Sequence, residues 1–370
     1  MKTNGLFKNT ILLIFTLLIC FFILELGVRL LVPESKRTFQ FNNVLGPMRI
    51  PDINFKEKTD DFGLLTHHTN SLGFVDSEHE MEKQENVYRI LFLGDSFTEA
   101  VQVPLDKTFF KALEERLNAL NTDKRFEVIS MGVSSYSTDH EYLVLKEFGL
   151  KYKPDLVILI FFAGNDVFYN SVTLSNEPSK PYFDFKNGKL EQIRYPQPVV
   201  HNRLVSFIIN NFQSPRFFYK KIILFKNKIA GVINNSEEGD PLDQFDLYSP
   251  VYGSNWFKAW DITGALIEEI DKTSRNNGAN FILVYLPNYI EVKPELWDGD
   301  SEWVSEKPSQ ITKEICSTVG INCLDLLPAF KEYTLASGKD LYKDHLNSSG
   351  HQLAAELIYN FLIENKIIKL

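Results

Sequence analysis

Apolar and polar positions divide the chain into stretches of different character. Ile11 to Leu24 is apolar or small without interruption (ILLIFTLLICFFIL), with Lys2 and Lys8 ahead of it. Extending the run to Val32 adds only Glu25 and Arg29 as charges and gives 22 residues. A helix of that length reaches roughly 33 Å, enough for a bilayer core of about 30 Å. Glu25 and Arg29, four positions apart, share one helix face and can pair near a membrane surface. The pattern predicts an N-terminal transmembrane helix. A cleaved secretory signal and a buried soluble helix are the competing readings. No small-x-small cleavage site follows the run, and Ile19 stands before Cys20, where a lipoprotein signal has a small residue.

Residues 33–85 show little apolar periodicity and many turn formers, Pro47 and Pro51 among them, and read as a stalk. The charged end of this stretch, Asp76 to Glu85 (DSEHEMEKQE), reads as a solvated loop or helix face. From Tyr88 the pattern alternates. Runs at 88–93 (YRILFL), 126–130 (FEVIS), 155–162 (DLVILIFF), 280–287 (NFILVYLP) and 321–326 (INCLDL) predict five strands. Segments 107–120, 138–150, 255–276, 308–318 and 348–365 predict helices between and after them. The third run, almost wholly apolar, suits a central parallel strand buried on both faces. Strand alternating with helix predicts a five-stranded parallel sheet covered on both sides, a three-layer α/β/α domain of flavodoxin-like type. Residues 170–250 interrupt it as a lid or substrate platform, with one helical segment at 203–212. The expected division is a tip and anchor at 1–32, a stalk at 33–85 and the α/β domain at 86–370.

Composition narrows the partners. The 370 residues carry 39 Lys+Arg against 48 Asp+Glu, a formal net charge of −9. That balance argues against nucleic acid, since no basic field displaces counterions from phosphates. Three cysteines rule out a disulfide framework and a four-cysteine zinc site. Cys316 and Cys323 are seven apart and read either as a disulfide or as two buried thiols. His67 and His68 have no third ligand spaced to complete a metal site and read as exposed polar residues. No metal and no cofactor are expected.

Ligands of an open parallel sheet bind beyond the carboxyl ends of its strands. There the first strand delivers Gly94-Asp95-Ser96, the second Ser130-Met131-Gly132 and the third Gly164-Asn165-Asp166, while Asp344-His345 precedes the last helix. A serine hydroxyl is a poor nucleophile until an imidazole takes its proton. The tetrahedral intermediate then needs donors aimed at its oxyanion, and the Ser96 N–H, the Gly132 N–H and the Asn165 amide are candidates. Thr98 stands where the G-x-S-x-G elbow of the α/β-hydrolases has its last glycine, which disfavours that fold. Asp95 and Asp166 read as loop-holding residues and His351 as structural. Ser348 or Ser349 is placed to cap the last helix.

These blocks, GDSFTEA around Ser96, SMGVSSYS around Gly132, GND around Asn165 and the C-terminal His345, resemble those of the SGNH/GDSL hydrolases, in the same order over roughly residues 70–365. The resemblance implies Ser96 as nucleophile, Gly132 and Asn165 as oxyanion donors and His345 as general base. One position departs from it. The family's acid stands three or two residues before its histidine, where this chain has Tyr342 and Lys343. Asp344, Asp340 or a backbone carbonyl is left to orient His345, and Asp344 only if the backbone turns sharply. The chain is most similar to membrane-anchored bacterial members, relatives of polysaccharide O-acetyltransferases. Lys2 and Lys8 before the span and Arg29, Lys36 and Arg37 after it leave the positive-inside rule undecided. That resemblance implies a single-pass protein of the cytoplasmic membrane with its catalytic domain on the extracytoplasmic side. The expected activity is a serine esterase or O-acyltransferase working on an ester-bearing envelope glycan or lipid. The alternative is a catalytically silent protein of the same fold that binds or assembles envelope glycans.

Overall fold

The computed structural model describes residues 3–31, 37–120, 122–198, 244–296 and 302–368, with scattered positions between 205 and 221. It falls into two compact units, Met1–Arg37 with Pro198–Pro241, and Thr38–Gln197 with Leu242–Leu370. In the first, α1 (Thr3–Leu31) is a single helix whose segment Phe7–Leu31 is long and apolar enough to cross a membrane. Between Phe7 and Leu31 its leucines and phenylalanines are exposed, as lipid-facing side chains would be, except Phe21, which is half-buried against Phe212. Its one acid is satisfied locally. Glu25 accepts from Arg29 Nε at 2.7 Å and from the backbone N–H groups of Gln213 and Ser214 at 2.8 Å. The helix expected at 203–212 lies largely outside the described residues, as does 32–36 at the start of the expected stalk.

The second unit opens with two hairpins, β1 (Phe39–Asn42) with β2 (Gly46–Arg49), and β3 (Asn54–Thr59) with β4 (Gly63–His68). β5 (Val87–Gly94), β6 (Arg125–Gly132) and β7 (Leu156–Phe161) follow. A third hairpin, β8 (Tyr182–Lys186) with β9 (Lys189–Arg194), occupies part of the insertion, and β10 (Asn280–Tyr285) and β11 (Asn322–Asp325) come last. Five of these strands form one parallel sheet in the order β11-β10-β7-β5-β6. The chain leaves β5 toward β6 and then returns across it to β7. That reversal is a topological switch point, which opens a crevice at the carboxyl ends of the middle strands.

Nine helices are described in this unit. They are α2 (Ser96–Glu99), α3 (Phe109–Asn118), α4 (Thr138–Glu147), α5 (Ala163–Asn170), α6 (Ser254–Asn276), α7 (Tyr289–Val292), α8 (Lys307–Val319), α9 (Leu327–Ser337) and α10 (Ser348–Glu364). Alternate strand residues point to opposite faces. Leu91, Leu93, Val157 and Leu159 therefore share a core with Leu143 of α4 and Leu266 of α6. Ile90, Phe92, Ile158 and Ile160 pack on the other face with Phe110 of α3 and Ile358 of α10. Each such side chain contributes about 1.5–3 kcal/mol through burial. This is the three-layer α/β/α architecture read from the sequence.

The stretch expected to be a stalk is different from Thr38 onward. It holds the two hairpins, and Leu45, Met48 and Phe74 join the main core. Alternation along β4 turns His67 inward against Phe55 while His68 stays exposed, so only the second of the pair fits the exposed reading. Asp76, read as solvated, is buried. Its carboxylate accepts the Ser130 N–H at 2.9 Å and lies 3.0 Å from His79 and 2.9 Å from Lys111. The reason is that β6 is an edge strand, whose outward N–H groups would otherwise be unpaired. Asn118 takes the Phe126 N–H at 2.9 Å, Glu114 takes Val128 at 3.0 Å and Asp76 takes Ser130, so side chains close the edge at every second residue.

Candidate active site

β5 ends at Gly94, and the next residues build the site. Asp95 caps α2 by accepting the Phe97 N–H at 2.9 Å, which starts the helix with Ser96 at its first position. Beside it, β6 ends at Gly132, the register partner of Gly94. A Cβ on Gly132 would lie 2.5 Å from the Thr98 carbonyl carbon, so only glycine lets β6 approach α2 this closely. On the other side of β5, Phe161 ends β7 and α5 brings in Asn165. Three adjacent strands thus supply the three strand-end groups.

Asn165 donates its Nδ2 to Asp95 Oδ2 at 2.7 Å. Asp95, buried to 1% exposure, thereby fixes both the start of α2 and the plane of the Asn165 amide. The second role is absent from the loop-holding reading made on sequence. Burial pushes the Asp95 carboxyl up to about 6, against the opposing pull of the Phe97 N–H, Asn165 and His345. Asp166 holds the loop by accepting the Phe162 N–H at 2.9 Å. Burial pushes the carboxyls of Asp166 and Glu141 well above the usual carboxylate range, and the Asp95 charge pushes both the same way.

His345 reaches the site from the other direction. Its Nε2 lies 2.8 Å from Ser96 Oγ, and its Nδ1 lies 3.0 Å from Asp344 Oδ2. Donation of Nδ1–H to the carboxylate leaves Nε2 free to accept the serine proton. The sharp turn this requires is present. Tyr342 and Leu346 bridge, the Lys343 N–H donates to the His345 carbonyl at 2.9 Å, and Asn347 donates to the Leu341 carbonyl at 2.9 Å. Asp340 points elsewhere, pairing with Lys293. Phe97 lies under the imidazole with ring centres 4.6 Å apart. Asn347, rather than Ser348 or Ser349, caps α10, accepting the Ser349 and Gly350 N–H groups at 2.9 and 3.0 Å. His351 is buried, accepts the Phe109 N–H at 3.2 Å and is pushed down to about 3 by burial, which keeps it a neutral structural group.

Sequence reasoning missed one support altogether. Arg49 of β2 forms a buried two-point bridge to Glu99 at 2.8 and 3.0 Å, three residues past Ser96. Its guanidinium sits 4.3 Å from the ring centres of Phe39 and Phe55, so both N-terminal hairpins grip the end of α2. A pairing across 50 positions leaves no local mark in a sequence. Cys316 and Cys323 are free thiols, hydrogen-bonded to each other.

Among solved structures the chain is similar to the acetyl xylan esterase AlAXEase, at 14% identity over 74% of this chain and 98% of that one, with a TM-score of 0.41. It is similar to TesA at 11% identity over 74% and 98%, TM-score 0.41. It is also similar to Axe2, an acetylxylan esterase from Geobacillus stearothermophilus, at 14% identity over 74% and 94%, TM-score 0.41. No protein-family model matches the chain, and no curated protein does.

Proposed function

We propose that the chain is a serine esterase or O-acyltransferase of SGNH type that works through an acyl-serine intermediate. The carrying observation is the relay Asp344–His345–Ser96, with contacts of 3.0 and 2.8 Å, beside an amide already oriented at Asn165. Ser96 Oγ attacks the ester carbonyl while His345 Nε2 takes its proton. The oxyanion meets the Ser96 and Gly132 N–H groups and the second Nδ2 proton of Asn165, each donor contributing about 3 kcal/mol. His345 returns the proton to the departing alcohol, and the acyl group stays on Ser96. Water or a second hydroxyl, activated by the same imidazole, then releases it.

The silent alternative drew on the adjacent Asp–His spacing. A turn that brings Asp344 to 3.0 Å from Nδ1 supports the active reading over it. With α1 as a membrane anchor and the domain outside the cytoplasmic membrane, an envelope glycan or lipid ester is the substrate class within reach. A fluorophosphonate probe tests the reading. Labelling at Ser96 that Ser96→Ala abolishes is expected, and an unlabelled, folded protein would refute it. Product analysis with an acetylated oligosaccharide and an acceptor sugar then separates freed acetate from transferred acetate.

A further inference from the structure

Building on the esterase reading, we propose that hairpin β3–β4 forms an alcohol-side subsite that takes esters of uncharged, polyhydroxylic alcohols and turns away anionic ones. Two cavities border Asp344. One, of about 220 Å³, is walled by Phe97, Phe162, Tyr289 and Tyr342 and holds Asn165. The other, of about 250 Å³, lies between hairpin residues 57–61 and the turn 343–347, with His345 in its wall.

The chemistry assigns the two chambers. In the tetrahedral intermediate the oxyanion lies toward Asn165, while the departing oxygen must sit within reach of His345 Nε2 to receive its proton. The alcohol therefore occupies the chamber that His345 lines, and the acyl group falls toward the aromatic one. The ester C–O and Ser96 Oγ–H bonds break, the Oγ–acyl bond forms, and His345 carries the serine proton to the departing alcohol.

The charges of the alcohol chamber do not balance. Glu57, Asp60, Asp61 and Asp344 face Lys58 and Lys343. Lys343 is held by Asp61 at 2.6 Å, which leaves Glu57, Asp60 and Asp344 against Lys58. A carboxylate on the alcohol would enter a field of its own sign. Gln102, in the same wall, carries a buried amide oxygen with no hydrogen-bond partner among the described residues. Such an oxygen favours a ligand that brings a hydroxyl. The wall is fixed rather than loose. Phe55 and Thr59 of β3 are buried, Phe55 packs on the Arg49–Glu99 pair, and Asp61 ties the hairpin tip to the turn.

The test uses the full chain in detergent carrying Ser96→Ala, so that binding is read without turnover. Methyl O-acetyl-glucoside and its glucuronate counterpart are titrated by ligand-observed NMR. About tenfold tighter binding of the neutral ester is expected at low salt. The gap should narrow severalfold near 1 M salt, where the screening length is about 3 Å, and close in Glu57→Lys/Asp60→Lys. Gln102→Leu should weaken the neutral ester by roughly tenfold. Equal affinities, or a gap indifferent to both salt and charge reversal, overturn the subsite. The salt series uses the hairpin unaltered, so a misfolded double variant does not blunt the test. Discrimination without fluorophosphonate labelling upholds the subsite and refutes the esterase, whereas labelling without discrimination does the reverse.

Discussion

The two carboxylates that flank Ser96 are held in opposite ways. Asp95, on the sheet side, is 1% exposed and bonded to a backbone N–H and to Asn165. Asp344, on the loop side, has a side chain 90% exposed and, among the described residues, hydrogen-bonds through it to the imidazole next to it alone. Their bond lengths are similar, yet their surroundings are not. Electrostatic contacts count for more in a dry, low-dielectric site than in water. Orientation by burial should therefore be the stiffer of the two, and the loop side must draw its order from turn geometry and from the Phe97 ring. In the proposed reaction the sheet would preorganise the oxyanion half of the site and a turn the proton-transfer half.

The largest effects fall where the halves meet. Ser96→Ala and His345→Ala are each expected to lower kcat for p-nitrophenyl acetate by about 10⁴-fold or more, with unchanged circular dichroism. Substantial turnover by His345→Ala would remove it as the base. Asn165→Ala should lower kcat by roughly 10²–10³-fold with little change in KM, because its donor works only in the transition state. A normal rate there would take the amide out of the oxyanion hole and undo the role given to the dry half.

Much of this was legible in the sequence where residues act through near neighbours. The β7 run reads as a central strand because both its faces are apolar, and β5 and β10 follow the same logic. Ser96, Gly132 and Asn165 were legible because each stands at a strand end, where topology alone forces convergence. Hairpins β1–β4 were not, since two-stranded ribbons carry mixed polar and apolar residues and short turns without a strong period. Asp95–Asn165 and Arg49–Glu99 were not either, being pairings 70 and 50 positions apart that only the folded sheet creates. The position of Asp344 depended on a turn whose closing bonds are backbone to backbone and so leave little trace in residue type.

Asp95→Asn sharpens the comparison with a smaller effect and a pH signature. It is expected to lower kcat about tenfold, since Asn165 loses a charged acceptor but keeps its place. Its stability effect has a definite sign. Asp95 has an ordinary value of 3.8 and is pushed up to about 6 in the fold, so the folded state binds the proton more tightly than the unfolded one. The Asp95 contribution to stability must then fall as pH rises from about 4 to 6 and level off above, by a few kcal/mol at about 1.4 per pH unit. The variant lacks that limb. Melting temperatures across this window should show Asp95→Asn gaining on the parent protein, and a constant difference would mean the buried carboxylate is not the cause.

The effect expected at Asp344 is no larger, and its dependence on substrate is informative. Loss of a buried triad aspartate costs about 10⁴-fold in kcat, but water screens an exposed carboxylate and takes over part of its hydrogen bonding. The Lys343–His345 backbone bond and the Phe97 ring also survive the change, so the imidazole keeps its place. Asp344→Ala should therefore lower kcat on p-nitrophenyl acetate by only about tenfold. A sugar ester that fills the chamber beside His345 would displace water from Asp344 and make the same deletion cost more. Measuring Asp344→Ala on both substrates thus separates two accounts of the loop side. A larger loss on the sugar ester means the relay becomes dry when the alcohol binds; equal losses mean it stays wet throughout the reaction, and the contrast with Asp95 is permanent.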